Sequence, residues 1–343
     1  MIRGLYNNCH MKGSFGMENQ TKLRLFYLYQ HMIKYSDPDH RISTNDLIQY
    51  LKDKHGISVD RSTITDDFAL MRQAGINCEC KKSRQNQYYY DDRLFEMAEL
   101  KSLVDAVASA KFITESRSKQ LIKKLMTLTS VYNAENLRRH VVAEGRVKSE
   151  NKNSYIISDA INEAIDKGFK IRFQYTDYTV HKKRMLRNGG EWYVVSPYTL
   201  VWDGNYYYMI GYCDNRQHTR NFRVDRIHSE VEKLEDEPAV PAPADFDPAA
   251  YSKKVFRMFD TDETVQVDLF CEALLMKNII DQFGREVKTE VLDKGHFIAH
   301  VEVCPSPNFY RWVFGWGGKM KISGPEHIRN EYKTKLEDAL KNA

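Results

Sequence analysis

Three arginines, Arg220, Arg223 and Arg226, recur at every third position of the run Arg220-Asn221-Phe222-Arg223-Val224-Asp225-Arg226-Ile227. A guanidinium is a planar fork of donors that meets a phosphate through two parallel charge-assisted hydrogen bonds, so this density of arginine points to an anionic ligand. Aromatic residues accompany them: Tyr175, Tyr198, Trp202, Tyr206, Tyr208 and Tyr212. Ring faces beside a cationic groove suit a nucleotide or a single strand of nucleic acid. On a regular strand side chains alternate, so Arg220 and Arg226 share one face and Arg223 takes the other; a bulge or a site at the strand end is needed for all three to reach one pocket. Tyr206 and Tyr208 likewise share a face, which serves either as core or as ligand wall. Asp225 is placed to pair with a neighbouring arginine as scaffold. A second basic cluster, Lys182, Lys183, Arg184 and Arg187, falls in an expected hairpin loop.

A different set of polar residues lies nearer the N-terminus. Arg61, Ser62, Thr63, Thr65 and Arg72 sit on one expected helix, and Lys81, Lys82 and Arg84 at the tip of an expected hairpin. Arginine bridges guanine O6 and N7, hydroxyls reach bases or phosphates, and lysines favour phosphate. The alternative for Arg61 and Arg72 is an ordinary solvated helix charge. Over residues 21–93 there are 12 Lys and Arg against 10 Asp and Glu, a net of +2. DNA affinity per monomer is therefore expected to be weak, which makes a dimer more important.

Positioning such residues takes several domains, because 343 residues exceed what a single core supports. Hydrophobic residues are 42% and charged residues 29%, with no run approaching the length of a membrane span. Residues 1–20 lack the apolar core of a secretory signal and are expected to be unstructured, with Met17 as a second start. Six cysteines without a crowded framework suit a reducing, cytoplasmic setting. A net charge of +4 leaves nucleic-acid binding to local patches. Cys78 and Cys80 have no second ligand pair at metal spacing, so no metal or cofactor is expected. The run Gly315-Trp316-Gly317-Gly318 reads as a helix-ending turn, since it does not follow a strand and open a helix.

Residues 21–92 read as a winged helix-turn-helix. Leu25, Leu28, Tyr29, Met32 and Ile33 mark the first helix; Ser43 with Asp46 caps a second, closed by Gly56; Ile64, Phe68 and Met71 face the third inward. Two strands, 76–82 and 87–90, complete the plan. Residues 93–150 read as one or two helices, either a core-packing linker or a dimerisation pair. Over 151–234 a helix leads into short antiparallel strands at 169–175, 191–201, 205–213 and 219–227, which suggests a small β-barrel. Four of nine prolines fall in 235–251, a semi-stiff linker. Residues 252–343 follow a βαββαβ order with a final helix, a ferredoxin-like α+β domain.

Taken together, the strings Val195-Ser196-Pro197-Tyr198-Thr199-Leu200-Val201-Trp202, Tyr206-Tyr207-Tyr208-Met209-Ile210-Gly211-Tyr212 and Arg220 to Ile227 resemble the WYL-domain transcriptional regulators. The name-giving Trp-Tyr-Leu falls on Tyr207-Tyr208-Met209. The resemblance runs on through Phe246-Asp247-Pro248, Ile280 to Gly284 and Ser306 to Trp312 to Gly324-Pro325-Glu326, covering about residues 21–340. It implies a winged helix-turn-helix, an Sm-like barrel (WYL) and a C-terminal WCX extension, in an α+β multidomain chain. Members of the family often carry Thr-Ile-x-Arg-Asp on the recognition helix; Thr63-Ile64-Thr65-Asp66-Asp67 places an acid where that arginine would be.

The resemblance also implies a sensor whose ligands lean towards nucleotides and short nucleic acids. The ligand residues expected here are Tyr175, Ser196, Tyr198, Trp202, Tyr208, Arg220, Arg223 and Arg226. The whole chain then reads as a ligand-responsive DNA-binding regulator, a homodimer on double-stranded DNA, with no membrane role. Two rivals belong to other classes: a single-strand sensor without operator specificity, and a nucleotide-processing enzyme. The enzyme reading is disfavoured because no acid–base pair or nucleophile accompanies the arginines.

Overall fold

The computed structural model describes residues 17–140, 148, 149, 151, 153–249, 251 and 264–343, and it divides into two compact units. Unit 1 takes in residues up to Ser109 and Glu115–Arg146; unit 2 takes in Ala110–Thr114 and Val147–Ala343. Residues 1–16 of the expected unstructured terminus lie outside the described residues. Residues 17–20 are helical instead, since Met-Glu-Asn-Gln contains no helix breaker and extends the first helix by a turn.

In unit 1, α1 (Met17–Tyr35), α2 (Thr44–His55) and α3 (Arg61–Gln73) enclose Leu28, Met32, Leu47, Leu51, Ile64, Phe68 and Met71. Ser43 and Asp46 form a complete capping box on α2, and Gly56 closes it at φ 67°. Asp60 caps α3 by accepting from the backbone of Thr63. A hairpin of β2 (Cys78–Lys81) and β3 (Gln87–Tyr90) is joined by a short strand the sequence reading lacks, β1 (Ile42–Ser43), in the order β1-β3-β2. The Tyr88 ring stacks on Phe68 at 4.0 Å and locks the hairpin to α3. Arg24 makes a two-point contact with the buried Asp67, at 2.6 and 2.8 Å.

The expected one or two helices after residue 93 are three: α4 (Met97–Ser109), α5 (Glu115–Met126) and α6 (Val131–His140). The last break has a local cause. Ser130 accepts from the Asn133 amide through its hydroxyl, starting α6, and donates to Asp37 at 2.5 Å.

In unit 2, α7 (Ser154–Lys167) packs on a five-stranded antiparallel sheet. The strands are β4 (Phe169–Gln174), β7 (Trp192–Asp203), β8 (Tyr206–Cys213), β9 (His218–Arg223) and β10 (Glu232–Pro238), ordered β10-β4-β7-β8-β9. The expected strand to Ile227 stops at Arg223, and Val224–Arg226 is a 3-10 turn. Ile227 then bridges back to Tyr175, curling the sheet. The linker expected from 235 begins later, because β10 runs to Pro238 as an edge strand, where proline is tolerated. A two-stranded hairpin, β5 (Thr176–Tyr178) with β6 (Arg184–Leu186), carries the second basic cluster.

The C-terminal part has β11 (Val265–Glu272), α8 (Met276–Phe283), β12 (Lys288–Val291), β13 (His296–Val303), α9 (Pro307–Phe314), β14 (Met320–Gly324) and α10 (Glu326–Lys341). Its antiparallel sheet runs β12-β13-β11-β14 over a separate core that includes Leu269, Ile279, Phe309 and Val313.

Candidate functional site

Five arginines converge on one cavity of about 480 Å³ in unit 2: Arg187, Arg216, Arg220, Arg223 and Arg226, with Tyr175, Tyr193 and Tyr208 among its walls. The 3-10 turn makes this possible. Arg223 is the last residue of β9 and Arg226 lies in the turn that follows it, so both stand at the strand end and line the same cavity as Arg220. The strand-end solution that the spacing called for is the one adopted.

The turn is held from three directions. Asn151 donates to the carbonyls of Asp225 and Ile227 at 3.2 and 3.1 Å, Thr176 to that of Arg226 at 2.8 Å, and Arg184 to that of Asp225 at 3.3 Å. The Arg223 amide donates to the Tyr175 hydroxyl at 2.9 Å. Arg223 itself grips Asp225 at two points, 3.1 and 2.8 Å, and its guanidinium lies 3.3 Å from the centre of the Tyr206 ring. Burial works against its charge, but the hydrogen bonds and charge of Asp225 overcome that and leave its pKa raised. Asp225 is thus the scaffold partner of Arg223, and that arginine is rigid.

Arg187 and Arg226 are held more loosely. Asp177 sits between Arg187 and Arg226 at 3.5 and 3.6 Å, beyond good hydrogen-bond distance from either. Arg216 meets Glu191 at 2.8 Å, and Arg220 lies 3.3 Å from the His218 ring nitrogen. Burial pushes the phenols of Tyr175 and Tyr208 up to about 12, so both keep their protons at neutral pH. Asn221 lines the cavity as well, and both its amide atoms are shielded from solvent without a hydrogen-bond partner among the described residues. A second cavity of about 300 Å³ shares Arg223 and Arg226 and adds Arg184, Lys111 and Lys148.

Three expected ligand residues lie elsewhere. Ser196 is buried, and its hydroxyl accepts from the Val240 amide at 2.9 Å, tying down the chain after β10. At Tyr198 the register of β7 against β8 shifts, a bulge that sends the phenol to the Pro241 carbonyl at 3.4 Å and the ring against Phe246. Trp202 donates to the Gly204 carbonyl at 2.9 Å and packs edge-on to Phe112. Sequence spacing does not single out Tyr193 and Asp177, which come from other strands, or Arg216, which comes from the turn before β9; Asn221 is the neighbour of Arg220 on β9, and alternation alone gives it no role in the cavity.

The five arginines and the tyrosines of the cavity fall inside the match to a model of the WYL domain, residues 157–232, and a model of the WCX domain matches residues 261–340. The chain carries a WYL domain followed by a WCX domain. No curated protein matches it. Among solved structures, this WYL-domain chain is similar to proteasome accessory factor B/C (PafBC) of Arthrobacter aurescens, at 18% identity over 94% of this chain and 48% of that one, with a TM-score of 0.32. It is also similar to a CRISPR Cas-related protein, at 14% identity over 96% and 87% of the two chains, with a TM-score of 0.35. The WYL-domain chain spans about half the length of the first of these.

In unit 1 the expected DNA-contacting residues divide into occupied and open groups. The hydroxyls of Ser62 and Thr63 both donate to the Asp60 carboxylate, at 2.9 and 2.7 Å, and that of Thr65 to the Arg61 carbonyl at 3.1 Å. Arg72 donates to the Cys78 carbonyl at 3.3 Å, which ties α3 to the hairpin. Arg61 on α3 and Lys81, Lys82 and Arg84 at the hairpin tip are exposed. Asp66, which takes the place of the family's arginine, is also exposed. Among the described residues no helix is long and apolar enough to cross a membrane.

Proposed function

We propose that the protein is a ligand-responsive transcriptional regulator. In this reading α1–α3 with the β1-β3-β2 hairpin act as a winged helix-turn-helix on double-stranded DNA, the five-stranded unit is an Sm-like barrel, and the β12-β13-β11-β14 sheet is a ferredoxin-like WCX domain. The barrel senses an anionic nucleotide or short single strand, and two copies act as a homodimer. The observation that carries the reading is the convergence of five arginines and three tyrosine walls on one cavity. That set binds phosphate through the guanidinium forks and a base against the rings.

The ligand acts by binding two states of the regulator unequally, since a ligand with equal affinity for both shifts nothing. The decisive experiment is fluorescence anisotropy with duplex DNA from upstream of the protein's own gene, against a scrambled duplex of equal length. Each is run with and without short single-stranded oligonucleotides and cyclic nucleotides. Sequence-selective binding altered by one additive supports the reading and names the ligand class. Equal, salt-governed binding to both duplexes overturns operator recognition and favours the single-strand sensor.

A further inference from the structure

We propose that unit 1 holds a second, independent small-molecule site that takes a planar aromatic carboxylate, in a cavity walled by α1, α2, α5 and the start of α6. Its volume is about 890 Å³, the size of an organic ligand pocket. The lining has two characters. Lys34 from α1, Lys54 from the end of α2 and Lys123 from α5 supply three ammonium groups, and among the described residues no carboxylate lines the cavity. Lys54 and Lys123 have no ion-pair partner among the described residues. The rest of the lining is largely aromatic and apolar, and Lys34 itself lies over the Tyr35 ring at 5.0 Å. The His31 ring stacks on Tyr50 at 3.8 Å and lies 4.9 Å from Tyr35, with Met126, Val131 and Ala134 beside them.

The His31 ring in this wall also carries a polar atom without a partner among the described residues. Nδ1 of His31 is shielded from solvent and has no hydrogen-bond partner among the described residues, a costly state for a buried nitrogen. His31 is held neutral, its pKa pushed down to about 4 by burial and by the charges of His55 and Lys34. The titratable groups lining the cavity around it are Lys34 and Tyr35 on its own helix, Tyr50, Lys54 and His55 on α2, and Lys123 on α5. An aromatic ring would lie against His31 and Tyr50 while its carboxylate reaches the lysines. A phosphate backbone would use the lysines and leave the apolar wall bare, which argues for a small amphipathic anion over DNA.

Such an occupant would tie α5 and α6 to α1 and α2, whose inner faces carry Leu28 and Leu47 of the core beneath α3. The site therefore stands on its own observations, whatever the arginine cavity binds.

The probe is 2-naphthoate, titrated by calorimetry into the full-length chain carrying Arg220→Ala and Arg226→Ala, so that the other cationic cavity does not compete. The expected result is one saturable site that weakens at least tenfold in the added Lys54→Glu/Lys123→Glu variant. The neutral 2-naphthamide should bind at least tenfold more weakly, and the His31 ring resonance should titrate at higher pH when naphthoate is bound. Ala134→Trp, which fills the cavity, should abolish binding; where that variant melts early, the exposed lysine substitutions decide. Equal affinity for the amide, or unchanged naphthoate binding in the lysine variant, overturns the proposal. So does a lysine variant that loses duplex DNA but keeps naphthoate.

Discussion

Asp177 is the one carboxylate set between two arginines of the proposed anion site among the described residues. It lies between Arg187 and Arg226 without closing a tight bond to either, so it neutralises part of the field and competes weakly with an incoming phosphate. Half-exposed ion pairs of this kind contribute about 1 kcal/mol or less. Asp177→Asn is therefore expected to strengthen binding of a nucleotide about three- to tenfold, read by calorimetry, with an unchanged melting profile. Weaker binding would mean that the carboxylate orients the arginines instead of screening them. Asp67 behaves oppositely. It is buried and engaged at two points by Arg24, and its hydrogen bond and charge hold the Arg24 guanidinium raised against the effect of burial. Removing one partner of a buried pair strands the other, so Asp67→Ala should destabilise unit 1 by about 3 kcal/mol in denaturant unfolding. A loss under about 1 kcal/mol would show that water replaces the carboxylate readily.

At the scale of elements, α3 is set by its cap. The backbone and hydroxyl of Thr63 and the hydroxyl of Ser62 hold the Asp60 carboxyl at about 2. A depressed carboxylate stabilises above its unfolded pKa and loses that contribution only as pH falls from about 4 towards 2. Operator binding near pH 5 should accordingly still have the cap in place, and Asp60→Ala should lower both the melting temperature and operator affinity at neutral pH while Asp60→Asn keeps most of each. In the five-stranded sheet of unit 2, Gly211 has no room for a side chain: a Cβ would stand 2.5 Å from the Ser196 carbonyl and 2.8 Å from Val195. That crowding accompanies the bulge at Tyr198, and Gly211→Ala should destabilise the sheet by about 1–3 kcal/mol. Near-complete tolerance in thermal melts would mean that β7 shifts freely.

These elements also show what the sequence could and could not say. The caps at Ser43 and Asp60 and the alternation of Phe169, Ile171 and Phe173 are local, and local patterns are legible one residue at a time. The site was half legible. The Arg220 to Arg226 spacing named three of the five arginines and stated the geometric condition for their convergence. Arg216 lies in the turn between β8 and β9 and Asp177 in the β5–β6 hairpin, and neither shares the three-residue spacing of Arg220, Arg223 and Arg226. Tyr198 misled because a bulge is a register event, invisible in alternation alone. Ser196 looked like a ligand contact because a small hydroxyl in a motif reads the same whether it meets a phosphate or a backbone amide.

For the molecule as a whole, the question is whether the proposed sensing and the proposed DNA binding are separable. The five arginines are in unit 2 and the exposed Arg61, Lys81, Lys82 and Arg84 in unit 1, so each set can be changed without touching the other. Arg61→Ala with Thr65→Ala should abolish selective operator binding yet leave nucleotide affinity intact. Arg220→Ala with Arg226→Ala should do the reverse: duplex affinity without ligand is kept, and so is the slope of its salt dependence, because no phosphate contact to the operator has been removed. The ligand response should fall to nothing. A tenfold response corresponds to about 1.4 kcal/mol of unequal ligand binding between two states, well within what two guanidinium–phosphate contacts supply. A salt slope that falls by about two in the arginine variant would place those residues on duplex DNA, and the barrel would then be part of the operator-binding surface instead of a sensor.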